Sequence, residues 1–273
     1  METERISRRS FNKLLKGSVI FLGVEAFSAA ALTEYGRRKT NPAWITNFEK
    51  YPDELLLYGG EGVALIDCIE KSLNLLVSLP GTKAMPTMCR GADVQNLLQS
   101  ESNKAWTLRE LAVLSEVAKS LPEGFKMPRK ALLVKYPIAG IQHGGCMSET
   151  YVGLFVPESF VPSLPDIWPT KEIELAGVFV HELAHEAVVG SKEVLESYGR
   201  VAGWSREGDK WVNPDNLANR FGVWRVVEEE GPEHELIWAI SLYVTRPDIL
   251  EGDTTRFNFI KDNFFEGRTY SNR

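Results

Sequence analysis

The sequence predicts an α+β protein. Helical periodicity dominates residues 61–79 and 107–121, two short β-rich runs follow at 131–136 and 151–156, and helical periodicity returns after Pro169 and Pro232. No linker rich in Pro, Gly, Ser or charge divides the middle of the chain, and no internal repeat is visible. One main domain over residues 40–273 is therefore expected, with a helical front half at 55–125 and a mixed core at 130–265.

Each element has its own signal. From Glu61 to Leu79, Val63, Leu65, Ile66, Ile69, Leu73 and Leu76 recur at helical spacing until Pro80-Gly81 stops the run. Thr107 and Glu110 form a Thr-x-x-Glu capping box, which opens a helix running through Leu111, Leu114 and Val117 to the break at Pro122-Glu123-Gly124. The period then changes. Ala131–Tyr136 and Tyr151–Val156 are aliphatic, β-branched and aromatic runs bounded by Pro, Gly and Ser, so both read as strands. Pro169-Thr170 opens the next helix, with Glu172 and Glu174 in the first turn where the dipole favours them, ending near Gly190. In the last helix Pro232 suits the first turn, Leu236, Ile240 and Tyr243 form a core face, and Pro247 lies just past the end.

Apolar residues make up 44% of the chain and charged residues 25%, which supports a packed body. The formal charge is −6; without residues 1–31, 26 basic residues face 34 acidic ones. Phosphate binding needs clustered cations, and no basic stripe stands outside the leader, so a nucleic-acid partner is excluded. The spacing of Cys68, Cys89 and Cys146 is unlike a zinc knuckle. In an oxidising compartment one bridge could form; Cys89 and Cys146 share Gly-containing, loop-like surroundings, and three free thiols are the alternative.

Residues 1–31 carry a targeting signal. Ser7, Arg8, Arg9, Ser10, Phe11, Asn12 and Lys13 precede a largely apolar stretch from Leu14 to Leu32, and Ser28-Ala29-Ala30-Ala31 ends it in small residues. The pattern resembles a twin-arginine signal peptide, with Asn12 its one departure. It implies the twin-arginine export machinery as a partner, cleavage, and a periplasmic or extracellular destination. Glu25 would cost roughly 2.5 to 3.5 kcal/mol at a bilayer centre, which disfavours an uncleaved membrane span.

The chemistry is concentrated in HELAH, residues 181–185. Two imidazoles four residues apart on a helix project from one face, so His181 and His185 can reach one ion at about 2.0 to 2.1 Å. Glu182 stands beside them, where a carboxylate can take a proton from a metal-activated water and return it to a leaving amine. A structural pair on a surface helix is the simpler reading of the same five residues.

The downstream stretch GPEHELIWAISLYVTRP, residues 231–247, resembles the second metal-binding helix of gluzincin metallopeptidases, particularly their compact and lethal-factor-like catalytic domains. With HELAH, the resemblance spans roughly residues 105–265, and Glu186 after the second histidine departs from its extended pattern. It implies a zincin-like fold, in which a small mixed sheet packs against the HELAH helix and a second metal-binding helix. It also implies one Zn²⁺ per chain, hydrolysis of a peptide or protein substrate, and Glu182 as general base. In that family a glutamate completes the ligand set, and a carboxylate four residues on orients a zinc-bound histidine. Ungapped placement puts His234 and Trp238 in those two places, whereas a shift of one residue puts Glu235 and Ala239 there. The third ligand is thus His234, which keeps the core register, or Glu235.

Glu193 and Glu196 are rival ligands, with the exposed face of a short helix as their simpler role. Tyr198–Trp204, YGRVAGW, is similar to an aromatic stretch between the two metal helices of related proteins and reads as packing. Where the family has an oxyanion-stabilising tyrosine, Arg225 is the candidate, with His143 another. Tyr151, Val152, Gly153 and Leu154 would be the edge along which an extended substrate lies. The unmatched carboxylate and tyrosine leave a second reading: a zinc-binding relative of weakened catalysis that acts as a surface binding module.

Overall fold

The computed structural model describes residues 60–78, 105–137, 144–148, 151–156, 167–188, 191–217, 220 and 231–270. Residues 1–31, expected to be a leader, and Cys89, His143 and Arg225 lie outside the described residues. The architecture is a mixed α and β one, with seven α-helices and two small sheets among the described residues.

Helix α1, Gly60–Leu73, ends earlier than its apolar spacing suggests. Asn74 adopts the left-handed conformation, with φ 57°, and its side-chain amide donates to the Met127 carbonyl at 3.0 Å. The chain leaves the helix there, and Leu75–Val77 becomes strand β1, parallel to β2 (Ala131–Pro137). Leu76 therefore sits on a strand, partly exposed, rather than on a helical core face.

Helix α2, Leu108–Ser120, starts at the expected capping box. The Thr107 hydroxyl accepts from the Glu110 N–H at 3.1 Å, and the Glu110 carboxylate accepts from the Thr107 N–H at 2.9 Å. That carboxylate has a second task. Lys135, on the helix-facing side of β2, donates to it at 2.6 Å, which permits a cation in a buried strand position.

The four-stranded sheet has the order β1-β2-β4-β3, with β3 at Gly144–Ser148 and β4 at Tyr151–Val156. Strands β2 and β4 run parallel, and β3 is antiparallel to β4. Tyr151, Val152, Gly153 and Leu154, expected at the sheet's edge, instead lie on an interior strand. All six β4 residues are buried, Val152, Leu154 and Val156 against the helical core and Tyr151 and Phe155 with Val134 and Tyr136 on the opposite face. The outermost described strand on that side is β3. Cys146, expected in a loop, belongs to β3 and is disulfide-bonded, whereas Cys68 is a free thiol.

Helix α3, Lys171–Val188, carries HELAH, and α4, Lys192–Ala202, follows it. A short hairpin, β5 (Ser205–Glu207) with β6 (Lys210–Val212), precedes α5, Pro232–Thr245. Helices α6 (Pro247–Leu250) and α7 (Thr254–Phe264) close the fold. Thirteen of the 14 residues of α5 are buried, Glu233 being the exception, so this helix is enclosed on all sides. It packs against α3, and the Ser241 hydroxyl donates to the Gly177 carbonyl at 2.6 Å. No helix among the described residues is long and apolar enough to cross a membrane.

Candidate metal centre

The geometry of the site follows from how α3 and α5 face each other. The Thr170 hydroxyl accepts from the Ile173 N–H at 3.3 Å in the first turn of α3, and Glu172 and Glu174 follow there. Further along, Gly177, His181 and His185 fall one turn apart on one face. Gly177 is required by a close approach: a Cβ there would lie 2.6 Å from the Trp168 indole. A mid-helix glycine costs about 1 kcal/mol relative to alanine, and seating a fully buried tryptophan offsets it.

From α5, His234 completes a triangle of imidazoles. Ring centroids are 5.0 Å apart for His181 and His185, 5.3 Å for His181 and His234, and 5.9 Å for His185 and His234. Three imidazoles bound tetrahedrally to one ion at the usual zinc–nitrogen distance have centroids about 5 Å apart. Among the described residues no set of three His, Cys, Asp or Glu side chains has its donor atoms gathered into a finished cage. The agreement is one of ring spacing.

Burial adds a second sign. His181 is 2% exposed, and neither of its ring nitrogens has a hydrogen-bond partner. Buried polar atoms without partners are uncommon and costly, so two on one ring call for an explanation. Burial, with His185 and His234 close by, holds the His181 imidazole well below the usual histidine range. It therefore stays neutral, which is the form that ligates a cation.

Glu182 is buried too, and desolvation pushes its carboxyl up to about 8. Its side chain lies against the backbone of β3: a Cβ on Gly145 would come within 2.6 Å of Glu182 Cγ and 2.7 Å of Oε1. The missing side chain of Gly145 on β3 thus leaves the space that the Glu182 side chain occupies. Nothing in the residue pattern around HGGC signals that strand, because its only described partner is β4 and pairing is a tertiary property.

Glu235, the alternative third ligand, is elsewhere. Its Oε1 accepts from the Tyr198 hydroxyl at 2.9 Å and from Arg256 Nε at 2.8 Å, and its Oε2 from the Leu217 N–H at 3.2 Å. Arg256 also donates to Asp253 at 2.5 Å and to the carbonyls of Ala202 and Asp215, each at 3.0 Å. Glu235 is thus the anchor of a buried network joining α4, α5 and α7. One residue's shift along α5 separates that task from the triangle.

Glu193 and Glu196 are exposed on α4, and Tyr198 and Trp204 are buried in the core, Tyr198 through the hydrogen bond to Glu235. Trp238, one turn beyond His234, packs its indole 4.1 Å from the His181 ring. Comparison with family models, curated proteins and solved structures finds no match to this chain.

Proposed function

We propose that this chain is a zinc-dependent peptidase with a zincin-like fold, similar to the gluzincins except that a histidine stands where they have a glutamate ligand, in which His181, His185 and His234 hold one Zn²⁺ and Glu182 is the general base. The observation that carries this reading is the triangle of three imidazoles beside a buried carboxylate. When bound, zinc supplies a Lewis acid that acidifies water and polarises the substrate carbonyl. The chain's own residues do the rest. Glu182, kept from bulk water, takes the proton of the attacking water as the amide carbonyl becomes tetrahedral, then delivers it to the leaving nitrogen. A carboxyl desolvated to about 8 is a strong base in its ionised form, and a nearby cation favours that form. An extended peptide pairing with β3, the outermost described strand, would bring its carbonyl past Gly145 and Glu182.

The leader at 1–31 supports export by the twin-arginine route, and a disulfide-bonded Cys146 suits an oxidising compartment. Purified protein is expected to hold one zinc per chain and to cleave an unstructured protein such as casein. Glu182→Gln is expected to keep the zinc and lose at least about 100-fold in kcat/KM. A chain that takes up no metal, or a Glu182→Gln variant with native proteolysis, ends this reading.

A further inference from the structure

We infer that Trp238 is a positioning residue that holds the His181 imidazole in its ligating orientation by ring packing, a task more commonly given to a hydrogen-bonding carboxylate. The inference rests on the zinc-site reading above and concerns how that site is built.

A metal-bound histidine usually donates its second ring N–H to a carboxylate or carbonyl, which fixes the ring. His181 has no such partner at either nitrogen, yet it is buried. What it has is an aromatic wall. The Trp238 indole lies 4.1 Å from it, centroid to centroid, inclined at 44°, and the same indole lies 6.4 Å from His234. Behind the wall is a support: Trp168 packs on Trp238 at 5.3 Å and donates from Nε1 to the Thr245 hydroxyl at 3.3 Å. That hydroxyl donates to the Ser241 carbonyl at 2.7 Å, and the Ser241 hydroxyl reaches back to Gly177. Trp168 itself fills the notch that Gly177 leaves in α3.

Each metal-binding helix thus gives one turn to this support. Gly177 precedes His181 by four residues, and Trp238 follows His234 by four. A flat face backed by Trp168 limits the χ2 rotation that would swing the imidazole off the ion. It also stabilises the bound state directly, because an imidazole that shares its electrons with a cation is attracted by the negative face of an indole.

The experiment is a Co²⁺ titration of the full chain, read by d–d absorption, with thermal melting of the metal-free protein alongside. Trp238→Phe keeps an aromatic face and is expected to bind Co²⁺ within about threefold of the native chain with the native spectrum. Trp238→Met fills the space without a π face and is expected to bind about 10- to 100-fold more weakly, with altered band intensities. A fold defect alone would lower melting temperature without separating Phe from Met in affinity. Equal affinity and spectra for the two variants overturn the inference. Should Trp238→Met not fold, Trp168→Leu decides, since removing the support is expected to weaken Co²⁺ several-fold, and unchanged affinity overturns the proposal. A native chain that takes up no cobalt defeats the zinc site itself, whereas native uptake with no aromatic dependence defeats only the role of Trp238.

Discussion

At the scale of single residues, neighbours in the sequence have divergent work. His234 faces the imidazole pair while Glu235 faces Arg256, and the difference is open to measurement. His234→Ala is expected to lose zinc while leaving the metal-free chain nearly as stable. Glu235→Ala is expected to cost about 1 to 3 kcal/mol in urea unfolding, because it takes the acceptor from Arg256 Nε and the Tyr198 hydroxyl while Asp253 still pairs the guanidinium, with zinc content of the folded fraction unchanged. The reverse pattern would reassign the third ligand. Gly145→Ala puts a methyl group into Glu182, so kcat/KM is expected to fall about 100-fold with little change in melting temperature; native turnover would show the carboxylate's place to be unimportant. His181, Glu182 and His185 were legible in the sequence because an i, i+4 pair on a helix is a local pattern. The choice between His234 and Glu235 was not legible. It depends on which way α5 is rotated, and a helix buried on nearly every side has too weak a polar stripe to fix that rotation.

Elements were legible where a local chemical signal marked them. The Thr107 box predicted the start of α2, and Thr107→Ala is expected to cost about 1 kcal/mol, measured as a lower urea midpoint; an unchanged midpoint would mean that Lys135 alone holds Glu110 in place. The α3 and α5 helices likewise follow their Pro and acidic starts. What escaped were the pieces whose partners are distant. Strand β1 continues the apolar spacing of α1 and is separated from it only by the left-handed Asn74. Strand β3 is a Gly-Gly segment with little strand propensity, and its pairing with β4 displaced the expected edge from Tyr151–Leu154. The β5–β6 hairpin is three residues to a side and largely exposed, so no apolar alternation betrayed it.

At the scale of the whole molecule, two ion-paired carboxylates, the buried Glu110 and the half-buried Asp253, set the response to acid. Burial alone would raise Glu110, but Lys135, the Thr107 N–H and Lys171 outweigh it and hold the carboxyl below its usual range. Asp253 is likewise lowered against burial, by the Arg256 N–H and the guanidinium groups of Arg256 and Arg220. A lowered folded-state pKa means that the unfolded chain binds more protons, so the stabilisation is complete above the unfolded values near 4.5 and 3.8 and is lost as pH falls through the folded ones. Metal-free protein is therefore expected to show falling urea midpoints from pH 5 to pH 3, and Glu110→Gln is expected to flatten that fall. Midpoints that stay level in the native chain would remove these ion pairs from its stability. Glu182 acts with the opposite sign between about 4.5 and about 8, where the folded state holds the extra proton.

The enclosure of α5 has a practical corollary. Glu233 is the one position of that helix open to solvent, and it immediately precedes His234. A fluorophore or nitroxide attached there through Glu233→Cys would touch none of the packed faces. It would ride on the same turn as the imidazole, and so sense the arrival of an ion or a peptide from a vantage that leaves the interior undisturbed.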